Sequence, residues 1–232
     1  MRKLVVGAFV SLDGVMQAPG GPEEDPTGGF RHGGWTVPHW DDEVVGAAMG
    51  ETFSVPFDLL LGRRTYDIFA AHWPHVVRDP GSSAYDARDA QIAERFDEIT
   101  KYVATHRPES LDWKNSRGLG PDVVSAVREL ARGEGPMLLT QGSTELVHLL
   151  LENDLVDELR LLVFPVVLGR GKRLFSEGSA PRSLTLKSTA TSPKGVIVAT
   201  YERAGEVSTG SFAMETPTDA ELERRRALAG GA

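Results

Sequence analysis

Phe57-Asp58-Leu59-Leu60-Leu61-Gly62-Arg63-Arg64-Thr65 runs a short apolar strand through one glycine into a pair of arginines. Residues 57–61 read as a buried strand, and residues 64–71 as a short helix closed before Pro74. A glycine at such a junction lets backbone approach a ligand, and the free N–H groups of a helix N-terminus attract phosphate. A tight turn with solvated arginines explains the same letters equally well. The unit decides the fold class because it recurs. Residues 137–140 are again a strand, Gly142 the junction, and residues 143–152 the following helix.

Outward from these units, residues 4–10 are apolar and β-branched on both faces, as a central parallel strand must be. Residues 101–105 form a third short strand and residues 156–167 a long apolar one. A helix is expected over 40–53, with Asp41, Asp42 and Glu43 where its dipole favours anions. Another covers 121–131, with Val123, Val124, Val127 and Leu130 on one face. Residues 80–88 read as loop and 92–99 as a helical turn or two. Residues 184–192 and 195–201 make a terminal hairpin around Ser192-Pro193-Lys194-Gly195. Strand–helix alternation with this finish predicts an α/β fold: a mostly parallel central sheet with antiparallel C-terminal strands.

Residues 1–203 are assigned to that domain and 204–232 to a polar extension. Thr218 and Glu221 there make a capping box for a short helix to about Leu228. Phe212, Met214, Leu222 and Leu228 are too few for a core and suffice only to anchor the extension on another surface. Residues 11–34, rich in Gly, Pro, Asp and Glu, are too long for a simple connection and are expected to be a mobile lid.

Composition narrows the function. No cysteine is present, which excludes disulfides, thiolate metal sites and a cysteine nucleophile, and fits a cytoplasmic protein. The net charge of −8 argues against a general nucleic-acid surface, so an anionic ligand needs a local basic pocket. No apolar run reaches the roughly 18 residues of a membrane span. The first apolar run stops at Ser11 and Asp13, unlike a signal peptide. No metal is expected, since His72 and His75 straddle Trp73-Pro74, which breaks a helix.

Thr105-His106-Arg107 follows the third strand and joins a hydroxyl, an imidazole and a guanidinium, a set suited to a phosphate monoester. Ser143 is as readily an ordinary helix cap. Ligands of open α/β sheets bind at the carboxyl ends of the strands. If the three strands are neighbours, their ends meet on one rim and make a site for an extended phosphorylated cofactor. Gly169-Arg170-Gly171-Lys172-Arg173 fits neither the dinucleotide nor the Walker glycine pattern and has a supporting role. Ser11-Leu12-Asp13-Gly14 is either a common turn or the floor of the site.

Further matching stretches are Gly33-Gly34-Trp35, Leu155-Val156-Asp157-Glu158-Leu159, Pro165-Val166-Val167-Leu168-Gly169 and Lys172-Arg173-Leu174-Phe175. In this order, across roughly residues 3 to 203, the chain resembles the dihydrofolate-reductase-like proteins related to the C-terminal reductase domain of the riboflavin-biosynthesis deaminase-reductase. The resemblance implies a three-layer dihydrofolate-reductase-like sandwich, NADPH as cofactor and a homodimer. It places Gly62, Arg63, Arg64 and Thr65 on the NADPH phosphates. Thr105, His106 and Arg107, with Arg64, come to the adenosine 2′-phosphate. Gly142, Ser143, Thr144, Glu145 and Leu146 come to the pyrophosphate. Asp13, Gly14 and Trp35 would face nicotinamide and substrate, with Asp13 a polar contact or proton donor.

The departures also carry information. Thr140 stands where the riboflavin enzyme has a substrate-binding glutamate, and Tyr66-Asp67-Ile68-Phe69 replaces its polar segment. The expected activity is therefore hydride transfer from NADPH to a small heterocyclic or carbonyl substrate. The alternatives are a true riboflavin-pathway or dihydrofolate reductase and, from another class, a non-catalytic nucleotide-binding dimer.

Overall fold

The computed structural model describes residues 1–212 and 215–229. Its centre is an eight-stranded sheet: β1 (Leu4–Ser11), β2 (Phe57–Gly62), β3 (Lys101–Ala104), β4 (Ser116–Gly118), β5 (Met137–Gln141), β6 (Glu158–Phe164), β7 (Ser183–Thr191) and β8 (Ile197–Gly205). The order is β4-β3-β2-β5-β1-β6-β8-β7. Every pairing from β4 across to β6 is parallel. Only β6 with β8 and β7 with β8 pair antiparallel. The carboxyl ends of β1, β2, β3, β5 and β6 therefore share one rim.

Among the described residues six α-helices accompany the sheet: α1 (Ala47–Ser54), α2 (Arg63–His72), α3 (Ala87–Glu98), α4 (Val123–Arg132), α5 (Thr144–Glu152) and α6 (Asp219–Ala229). Strand side chains alternate between faces, so one run of apolar residues feeds two cores. Leu4, Val6, Ala8 and Val10 pack with Val127 of α4 and with Leu146, Val147 and Leu150 of α5. Val5, Phe57, Leu59 and Leu61 face the other way, onto Tyr66 of α2 and Phe96 of α3. These are the three layers of the expected α/β sandwich.

Several local expectations change. Residues 40–53 are not one helix: a π-helical turn over Asp42–Gly46, capped by Asp41 accepting from the Val44 N–H, precedes α1. The turn expected at 92–99 is the twelve-residue α3, whose cap Asp86 lies in the segment read as loop. β4, at the sheet edge, has no counterpart in the sequence reading. The long strand at 156–167 shortens to β6.

Residues 11–34 are a packed wall rather than a lid. Val15, Ala18, Phe30 and Trp35 form a third core with Val45, Leu162 and Phe164. The reason is Gln17, buried at 4% exposure, which ties the loop to itself and to its neighbour. Its amide donates to Asp25 O and Thr27 O at 2.9 Å each, and its Oε1 accepts the Lys172 N–H at 3.0 Å.

The extension is helical where expected. The Glu221 N–H donates to Thr218 Oγ1 at 3.3 Å, but the Glu221 carboxylate turns to Arg224 and Arg225, so only half of the capping box forms. α6 buries no residue, and Phe212 and Leu228 are exposed. Met214 lies outside the described residues. β8 runs to Gly205, two residues past the boundary placed at 203. We expect a chain ending at Glu206 to fold with a circular-dichroism spectrum that loses only the contribution of α6, and a melting temperature within a few degrees of the full chain. An insoluble or molten product would make the extension part of the core.

Candidate active site

Two strand–glycine–helix junctions meet at the rim. The Gly62 N–H donates to Ser143 Oγ at 2.8 Å, joining the start of α2 to the start of α5. A Cβ on Gly62 would stand 3.0 Å from the Ser143 Cβ, so a larger residue would have to push the two junctions apart by a few tenths of an ångström. Gly142 has φ +78° and Ser143 φ 66°. Ser143 therefore does not cap α5, as a reading from sequence allows; it sits in the left-handed region with its hydroxyl turned to β2. Strain of this kind on a non-glycine residue costs on the order of 1–3 kcal/mol and collects at functional sites. Thr65 lies beside Gly142, with its Oγ1 3.9 Å from where a Gly142 Cβ would stand, and the space is otherwise open. Thr144 is half-buried and Glu145 exposed. The Leu146 side chain is buried in the core, which leaves only its backbone for a ligand.

The two arginines diverge, because successive helical residues point about 100° apart. Arg63 donates to Ser110 Oγ at 2.6 Å, to Arg107 O at 3.2 Å and to Thr105 Oγ1 at 3.5 Å, and is paired with Asp67. Arg64 turns the opposite way, to Thr27 Oγ1 at 2.7 Å and Asp25 at 3.2 Å. The expected grouping of Arg64 with Thr105, His106 and Arg107 is thus corrected: Arg63 joins them, together with Ser110, which the sequence reading missed. Thr105 is buried and fixes the loop by accepting the Arg107 N–H at 3.1 Å, while His106 and Arg107 are exposed. Asp25 also holds Lys172 at 2.6 Å. Burial raises the Asp25 pKa, but its bonds to Lys172 and Thr27 outweigh that and keep it below the usual carboxylate range.

Asp13 and Trp35 are structural in this arrangement. Asp13 accepts from Ser11 Oγ at 2.7 Å and from the N–H groups of Leu168 and Gly169 at 3.0 and 2.8 Å. Burial raises its pKa, but these bonds more than compensate and hold it at about 2. Asp13 thus serves in this arrangement as an ionised acceptor that ties its turn to the Leu168–Gly169 segment. Gly14, at φ +80°, makes the turn beside it and accepts the Leu174 N–H. Trp35 is buried at 7% exposure, donates to Gln17 O and packs edge-on against Phe164. It backs the wall from within the third core.

What opens to solvent is the central strand itself. On β1, within a sheet covered on both faces, Gly7 and Phe9 are half-exposed while Leu4, Val5, Val6, Ala8, Val10 and Ser11 are buried. Both lie on the α1–α2 face, between the second and third cores. Gln141 and Arg160 flank Gly7 on β5 and β6. Phe9 meets Trp40 edge-on at 6.2 Å. The sequence signal was available: glycine inside a strand marks close approach by another group. Thr140 lies on the opposite face, fully buried, with its hydroxyl donating to Gly142 O at 3.2 Å. Among the described residues no cluster of three metal-ligating side chains occurs, and no helix is long and apolar enough to cross a membrane.

Comparison with known proteins bears on the fold and the family. YyaP of Bacillus subtilis strain 168, an uncharacterized protein, is 25% identical over 206 residues, covering 88% of this chain and 96% of its own. A putative riboflavin biosynthesis protein from Shewanella sp. PV-4 superposes with a TM-score of 0.53 at 19% identity, covering 87% of this chain and 99% of that one. Dihydrofolate reductase from Enterococcus faecalis, solved with NADP(H) and RAB-propyl, gives a TM-score of 0.50 at 13% identity over 87% of this chain and 96% of that one. The fold is thus dihydrofolate-reductase-like. Since the model of the RibD C-terminal domain matches residues 2–198, the chain belongs to the RibD C-terminal domain family.

Proposed function

We propose that this protein is an NADPH-dependent reductase that transfers a hydride to a small heterocyclic or carbonyl substrate. The observation that carries the reading is the opening of β1 at Gly7 and Phe9, directly beside the glycine-hinged starts of α2 and α5. The residues fit the cofactor. Open space over Gly142 and two helix N-termini suit a pyrophosphate. Arg63 reaches the Thr105 and Ser110 hydroxyls and the Arg107 carbonyl, which gathers a guanidinium and two hydroxyls suited to a phosphate monoester. NADPH would supply the hydride; the chain's part is to bind, orient and exclude water. Phe9 and Trp40 give the opening an apolar wall, backed by the core that the packed loop forms around Trp35. The family resemblance further assigns a cytoplasmic homodimer, whose mass in solution sedimentation would report.

The arrangement predicts a preference for NADPH over NADH. A charge-assisted contact contributes about 1.5–3 kcal/mol, roughly a tenfold to hundredfold difference in affinity. We expect fluorescence titrations to show that gap in the wild type, and Arg63→Ala to close most of it. Arg64→Ala should leave it open. Equal dissociation constants for the two cofactors in the wild type would remove the 2′-phosphate assignment.

A further inference from the structure

The cluster around Arg63 holds a negative charge that a phosphate site does not need. Arg63 and Asp67 stand one turn apart on α2, so their side chains meet on one face of the helix. The Arg63 Nε–H donates to Asp67 Oδ1 at 2.8 Å and to Oδ2 at 3.1 Å. Its Nη1 is given to Ser110 Oγ, Arg107 O and Thr105 Oγ1. Only Nη2 makes no hydrogen bond among the described residues. A guanidinium holds a phosphate best through two parallel N–H groups, and Nε with Nη2 form one such edge. Asp67 takes the Nε half of that edge, so an arriving phosphate competes with a carboxylate already in place. Charge acts in the same direction. The cations of the cluster are Arg63 and Arg107, and its anions are Asp67 and Glu109, so it is neutral before any ligand arrives. Asp67 does nothing else that the structure shows. It is half exposed and bonds only Arg63 among the described residues, so no other part of the fold depends on it.

We propose that Asp67 determines cofactor specificity: its carboxylate competes with the 2′-phosphate for Arg63, holds down the preference for NADPH and leaves NADH a usable second cofactor. This rests on the reductase reading and deepens it. The two cofactors differ in what they bring to the cluster. NADPH brings a phosphate dianion, which Asp67 repels. NADH brings a ribose hydroxyl pair instead, and a carboxylate accepts hydrogen bonds from such hydroxyls, as the acidic residue of other dinucleotide-binding folds does. The same side chain therefore penalises one cofactor and favours the other. Because Asp67 is half exposed, solvent and salt screen the effect, which is then a matter of severalfold rather than orders of magnitude.

The test is calorimetric titration of the full chain with NADPH, NADH and adenosine 2′-phosphate, in the wild type, Asp67→Asn and Asp67→Ala. Asp67→Asn keeps the size and removes the charge. We expect NADPH and adenosine 2′-phosphate to bind it about threefold tighter than the wild type, and NADH to change by less than about twofold. Asp67→Ala also loses the acceptor, so NADH should weaken there as well and the ratio of the two affinities should widen further. The gain in NADPH affinity should shrink as salt is raised to about 0.5 M, since it is electrostatic. A residue that only orients Arg63 gives the opposite sign: Asp67→Asn would then weaken NADPH at every salt concentration. That result, an unchanged ratio in both variants, or a wild type that binds NADPH with no measurable NADH binding would overturn the proposal. A wild type that binds neither dinucleotide would sink the reductase reading. Adenosine 2′-phosphate that still bound, and bound tighter to Asp67→Asn, would then leave the role of Asp67 at Arg63 standing; no binding of any probe would overturn both.

Discussion

Gly142→Val is expected to weaken NADPH binding at least a hundredfold while the protein stays folded. Two effects act at this position, and their sizes separate them. The first is backbone strain: φ is +78°, where a side chain costs roughly 1–2 kcal/mol. For a domain of this size that lowers the melting temperature by about 2–8 °C. The second is obstruction. A Cβ here meets only Thr65 Oγ1, at 3.9 Å, so the valine methyls enter the open space between the starts of α2 and α5. That space is the proposed pyrophosphate site, and blocking it removes N–H donors from both helix ends at once. Gly142→Ala carries the same backbone strain with a smaller obstruction, so it should melt like the valine variant but bind NADPH better. Fluorescence titration and thermal melts on both variants check this. A valine variant that folds and binds NADPH like the wild type would place the cofactor elsewhere.

Much of this frame was legible because it rests on local chemistry. A strand running through one glycine into a helix can be read at Gly62 and at Gly142 without knowing that the two touch. The parts that were not legible depend on phase or on contacts distant in sequence. Arg63 and Arg64 are adjacent letters, and only the helix phase tells which one turns to Thr105 and Ser110. β4 is Ser116-Arg117-Gly118, which offers no apolar pattern, since it is a three-residue edge strand paired on one side. α3 hides because its buried stripe includes two alanines, Ala90 and Ala93, with Phe96 the large apolar residue among them. The polar composition of residues 11–34 suggested mobility, yet one buried amide, Gln17, satisfies the backbone that such a loop must bury. Arg160 carried a readable signal: charged residues two apart in a strand, Glu158 and Arg160, share one face and pair there at 2.5 Å.

Asp58→Ala is expected to be the most destabilising single change outside the site. Arg2 and Asp58 bridge β1 and β2 at the amino edge of the sheet, with side chains only 4% and 12% exposed. Arg2 Nη2 donates to Asp58 Oδ2, and the Thr100 N–H donates to Asp58 Oδ1 at 3.1 Å, which brings in the start of β3. Arg2 also donates to Pro136 O at 2.6 Å and lies over the Tyr102 ring at 5.6 Å, so it is held in place whether or not Asp58 is present. Removing the carboxylate therefore strands a buried guanidinium that cannot swing out to water. Breaking such a pair from one side costs about 3–5 kcal/mol, against the roughly 5–15 kcal/mol that holds a domain folded. The melting temperature should fall by about 6–20 °C. The pair is not thereby a net source of stability, because desolvating two charges offsets most of their attraction. Arg2→Met with Asp58→Leu, which removes both charges and fills the space with apolar side chains, should recover part of the loss, because the Thr100 N–H and Pro136 O still lose their partners. Thermal melts of the two single variants and the double variant read this as a cycle. A loss under about 1 kcal/mol in Asp58→Ala would show that water reaches the pair.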